Sequence, residues 1–232
     1  MANNHIYGIR WKRSLHGNDT PTILVYPMLS AYAPNTLDGG GGTAVNINIG
    51  DPVRLREDGT LRLTSAGVDL TGEQNAGFET IFGVVVGFPR VIVGGSPRPG
   101  SFYTTTTYSG GIGSDNAPLC AIIPAEGNIF EMDFSAVQGT GLKSDYLGLV
   151  GRTAPILYTP LTSGIGQPKA NPLIGAVTAT AGGVQAQLII TGLGKYNDDQ
   201  DYTSVNATMQ VMFNSLQNAL HAEAGVWGTS NA

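Results

Sequence analysis

"PLCAIIPAEGNIFEMDF", residues 118–134, places two apolar runs on either side of a short polar break, and its reading decides the fold. "LCAIIP" and "NIFEMDF" have the length and the bounding residues of strands, with Glu126-Gly127-Asn128 as the turn entering the second. Glu131 and Asp133 alternate on that strand, so both project to one face about 7 Å apart. Paired glycosidase carboxylates stand at a comparable separation, but spacing is the whole of that case. Ile129, Phe130, Met132 and Phe134 supply apolar side chains to both faces. The ordinary account is a structural strand whose two acids meet water or a neighbouring subunit, and no catalytic residue is assigned.

The neighbouring sequence carries the same strand chemistry. "TAVNINIGDPVRLREDGTLRLT", residues 43–64, alternates apolar and polar positions, and its Asp58-Gly59 dipeptide predicts a hairpin over 53–64. "ETIFGVVVGFPRVIVGG", residues 79–95, is more continuously apolar, as for a strand buried on both faces, with Gly83 and Gly87 allowing bends or close backbone approach. "YLGLVG" (146–151), "PLIGAVTAT" (172–180) and "VQAQLIITGL" (184–193) read as further short strands. Near the C-terminus, Met209, Met212, Phe213, Leu216 and Leu220 fit helical spacing, whereas Val205, Ala207, Met209, Val211 and Phe213 alternate strictly. The β-branched content favours a strand through Asn214, followed by a short helix or an extended arm.

Many short strands punctuated by turn residues predict an all-β fold, a β-barrel or sandwich with long loops and at most a short C-terminal helix. Residues 1–43 read as an N-terminal arm with a first strand, 44–214 as the β domain, and 215–232 as a C-terminal tail. Long loops fall at 33–42, 94–118 and 159–172, and loops of that length in a compact domain are candidate contact surfaces. Within the second, "FYTTTTYS" (102–109) has the composition of an exposed edge strand or a projecting hairpin.

Composition narrows the function. Only 12% of residues are charged, about half the usual share, while the chain has 33 Gly and 13 Pro. A surface of Thr, Ser, Asn and Gly suits a protein that works in an assembly. The formal net charge is −5, and "RWKR" (10–13) is the one basic cluster, read as a solvated segment or as a docking arm against an acidic partner. A phosphate backbone needs several converging cations, so nucleic acid is not an expected partner. No apolar run approaches the roughly 18 residues of a membrane span, and the N-terminus lacks the apolar core of a secretory leader, so neither membrane nor export is expected. A single cysteine, Cys120, leaves no internal disulfide, and its place in "LCAII" is that of a small core residue rather than a nucleophile.

The chemistry-bearing motifs do not assemble. "IITGLGKY" has Ile189 and Tyr196 where a phosphate-binding loop needs Gly and a hydroxyl. His5, His16 and His221 are far apart and lack metal-ligand spacing. "YNDDQDY" sets Asn197, Asp199 and Asp201 at the first, third and fifth places of a calcium loop, yet Tyr202 and Thr208 occupy the places that need Gly and Glu. An acidic turn between strands is the simpler reading. No metal and no cofactor are expected, and the chain is not expected to be an enzyme.

In order along the chain, "IGDPVRLREDGTLRLTSAG" (49–67), "IFGVVVGF" (81–88), "PLCAIIPAEGNIFEMDF" (118–134), "YLGLVG" (146–151) and "VNATMQVMFN" (205–214) resemble the auxiliary head proteins of tailed bacteriophages. The resemblance covers Ile49 to Asn214. It implies a β-barrel or β-tulip module on the capsid exterior, a decoration or cement protein that binds the major capsid protein. It also implies a symmetric homo-oligomer, such as a trimer, made in the host cytoplasm. The loops 94–118 and 159–172 exceed what small decoration proteins carry. Aromatics anchor interfaces, which makes Tyr7, Trp11, Phe102, Tyr103 and Tyr108 the candidate contact residues. The alternatives are a glycan-binding or adhesin module on the virion surface and a tail component.

Overall fold

The computed structural model describes residues 8–17, 20–28, 47–55, 59, 61–63, 81–93, 96–100, 102–103, 118–158, 172–175, 177, 187–194, 200–203 and 207–214. Strand β9 (Leu119–Pro124) and strand β10 (Asn128–Asp133) form where the apolar runs of 118–134 predict them. They do not pair with each other. β9 is an inner strand of one sheet and β10 an inner strand of another, so the break at 125–127 hands the chain from sheet to sheet. Gly127 makes this turn at φ 69°, a left-handed conformation that a Cβ would disfavour.

The first sheet runs β2 (Leu24–Pro27), β9, β6 (Gly83–Val93), β4 (Pro52–Leu55), β5 (Leu61–Leu63), with β7 (Ser96–Gly100) added to β6. All these pairs are antiparallel, and a parallel bridge between Met28 and Leu61 brings the two ends of the sheet together. β4 and β5 are the hairpin expected over 53–64, with Gly59 at φ 77°. Gly83 lets β6 approach β9, because a Cβ there would lie 2.7 Å from the Ile123 carbonyl oxygen. Gly87 sits where the β6–β9 register shifts, the signature of a bulge.

The second sheet runs β1 (Arg10–Ser14), β10, β15 (Thr208–Phe213), β14 (Leu188–Leu193), β11 (Thr153–Ala154). Past β11 the chain continues into β12 (Ile156–Tyr158), which pairs with β13 (Pro172–Ile174). β13 returns to the end of β10 through a parallel bridge from Ile174 to Phe134. The sheet therefore curls into a half-barrel. On β15, Met209, Val211 and Phe213 are buried while Thr208, Gln210 and Met212 are half-buried. This period of two settles the C-terminal ambiguity in favour of a strand through 213. Residues 215–232, read as a tail, lie outside the described residues. A short pair, β3 (Ile47–Asn48) with β8 (Phe102–Tyr103), completes the strands among the described residues.

One continuous core fills both sheets. Phe130 and Phe213 meet edge to face with centroids 5.2 Å apart, as do Tyr26 and Phe82. Cys120 is fully buried, as its apolar run predicts, and desolvation followed by the charge of Asp51 pushes its thiol far above the usual range.

Four expectations are corrected. "YLGLVG" is not a strand: helix α1 (Lys143–Leu147) runs into it and turns occupy 148–151. Its short apolar run between glycines does not make a strand here: Tyr146 faces inward while Leu147 and Val150 are exposed. The loop expected over 94–118 opens with the strand β7, and β8 falls at the start of "FYTTTTYS", where a strand or hairpin is expected. "RWKR" is not a loose arm: it forms β1 beside β10, with Lys12 and Arg13 exposed. Segment 1–43 thus contributes β1 and β2 to the two sheets.

Candidate interaction surface

The fourth correction concerns the acids of the opening stretch. Glu131 and Asp133 are buried within the fold and meet cations of β1 rather than open water. β1 lies antiparallel to β10, with Arg10 opposite Glu131 and Trp11 opposite Phe130, after which the register slips so that Arg13 faces Ile129. Lys12 is the extra residue of that bulge, and a bulge re-aims side chains. Lys12 Nζ reaches Glu131 Oε1 at 3.0 Å, and Arg10 Nη2 reaches Asp133 Oδ1 at 3.4 Å. The Thr208 hydroxyl on β15 donates to the same Asp133 oxygen at 2.8 Å. The acids' side chains are 8% and 2% exposed while the cations' are 38% and 30% exposed. The carboxylates are therefore sealed in while the cations keep their heads partly in water.

Trp11 closes the other end of this seam. Its indole Nε1–H donates to Asn128 Oδ1 at 2.9 Å, and Asn128 Nδ2 donates to the carbonyls of Pro124 and Glu126, both at 3.0 Å. One side chain thus uses both of its donor hydrogens and its acceptor to tie β1 to the turn between the sheets. Trp11 packs against the core and is half-buried. The complementary spacing of cations at 10 and 12 with acids at 131 and 133 is visible in the sequence, but nothing local pairs segments so distant.

A second feature surrounds α1. Asp145 accepts hydrogen bonds from Thr140 N–H, Thr140 Oγ1–H and Leu142 N–H, the last a helix-start donor and the others tying the preceding turn to α1. The Thr140 hydroxyl, then these backbone donors, hold its carboxyl below the ordinary carboxylate range. Tyr146 is the inward residue. Its hydroxyl donates to the Tyr202 carbonyl at 3.2 Å and accepts from Gln138 N–H at 3.1 Å, and its ring meets Phe134 and Tyr202. Burial, then the nearby charges of Asp145 and Asp201, raise its phenol above the usual value against the hydrogen bond from Gln138. Around this anchored helix, Val137, Leu142, Leu147 and Val150 remain 36%, 59%, 50% and 42% exposed. None of them is a residue the sequence analysis singles out, because reading 146–151 as a strand hides the helix.

Of the other candidates, Phe102 and Tyr103 lie on β8, paired with β3, while Tyr7 and Tyr108 lie outside the described residues. His5, His221, Asn197 and Asp199 lie outside them too. Asp201 accepts from Thr203 N–H and Oγ1–H, the geometry of an acidic turn. Among the described residues, no group of three or more His, Cys, Asp or Glu is placed to hold a metal ion. Gly194 of "GLGKY" serves the sheet: a Cβ there would lie 2.5 Å from the Thr208 carbonyl oxygen. No helix among the described residues is long and apolar enough to cross a membrane. No family model, curated protein or solved structure matches the chain.

Proposed function

We propose that this chain is a virion structural protein, a capsid decoration protein that binds the outside of the major capsid lattice and stabilises the head. The observation that carries the reading is the apolar rim of α1. Single exposed apolar side chains are ordinary, but Val137, Leu142, Leu147 and Val150 stand exposed within one short stretch of chain around α1, and the reading takes that stretch as the contact surface. The low charge of the chain and the resemblance of its strand segments to auxiliary head proteins agree with a partner that is a protein lattice. In this reading the rim of α1 meets the major capsid protein, and copies of the chain form a symmetric homo-oligomer. Many modest contacts repeated across a lattice add up to firm attachment. Trp11 also ties β1 to the fold through its indole donor, and its half-exposed ring remains a candidate contact.

The test mixes purified protein with capsids that lack it and images the particles by cryo-electron microscopy. Density at regular lattice positions, with α1 against the shell, is the expected result. Burying the exposed halves of Leu142 and Leu147 is worth about 1 kcal/mol each. Leu142→Ala with Leu147→Ala should therefore weaken attachment by roughly 30-fold per site while leaving the fold intact. Bare shells with the wild-type chain would overturn the reading, and undiminished occupancy with the double variant would remove α1 from it.

A further inference from the structure

We draw no further inference here: the strongest candidate, the edge of β2 where Ile23 and Val25 stand exposed beside the buried Ala121 of β9, is an apolar face and nothing in the structure shows what covers it.

Discussion

Replacing Tyr146 by Phe isolates the chemistry that holds α1 against the second sheet. The ring stays, so its edge contact with Phe134 at 5.7 Å and its contact with Tyr202 at 5.0 Å persist. What disappears is a hydroxyl that satisfies two backbone groups, Gln138 N–H and the Tyr202 carbonyl. Leaving a buried polar group unsatisfied costs about 1–3 kcal/mol. The Gln138 amide and the Tyr202 carbonyl are only partly buried and can recover some hydration, so the low end of that range applies to each. The expected loss is about 2 kcal/mol in urea unfolding, at an unchanged dependence on denaturant. Tyr146→Ala should cost more, about 3–5 kcal/mol, because the ring leaves a cavity beneath the helix. Hydrogen exchange gives the second reading: the Gln138 amide should lose protection in Tyr146→Phe while amides of β9 keep theirs. A Phe variant within about 0.5 kcal/mol of wild type, with Gln138 still protected, would refute the assignment of the hydroxyl as the clamp.

The same phenol sets a pH dependence. Its folded pKa is raised, so above about pH 10 the unfolded chain loses this proton first and stability falls as pH rises, until the folded value is passed. The gap between wild type and Tyr146→Phe should narrow over that window in parallel unfolding curves; a constant gap would contradict the sign. Asn128→Ala removes one acceptor and two donor contacts and should cost about 2–3 kcal/mol, with a fluorescence change at Trp11; an unchanged midpoint would refute its keystone role. Gly194→Ala drives a Cβ into the Thr208 carbonyl and should cost at least about 3 kcal/mol by thermal melting. Gly87→Ala meets nothing within 4 Å and should be near neutral or stabilising by roughly 0.5 kcal/mol. Equal melting temperatures for the two glycine variants would count against the backbone-approach argument. Asp145→Ala should free the amides of Thr140 and Leu142 to exchange; retained protection would mean that Asp145 does not cap α1.

Two carboxylates buried beneath an edge strand are not a source of large stability, because desolvation offsets most of their attraction to Arg10 and Lys12. Their stronger effect is on pairing. A strand lying on β10 out of register would leave Glu131 and Asp133 without cations, so the seam favours the bulged alignment observed.

The sequence by itself determined the all-β class, the strands of 118–134, the hairpin around Gly59, the burial of Cys120 and the strand through Phe213. Each of these rests on information held within a few residues: a period of two, a turn dipeptide, an uninterrupted apolar run. Only the tertiary structure decided that β9 and β10 belong to different sheets, since the turn at 125–127 is compatible with a hairpin and with a handover. It also decided that "RWKR" is a strand facing Glu131 and Asp133, a pairing between residues more than 110 positions apart that no local pattern encodes. "YLGLVG" was misread for the converse reason. Its short apolar run bounded by glycine is compatible with a strand, but Asp145 captures the amides of Thr140 and Leu142, and Tyr146 finds its partners in Phe134 and Tyr202. Distant contacts outweigh a short apolar run there, and the apolar rim that follows from the helix is visible only once those contacts are made.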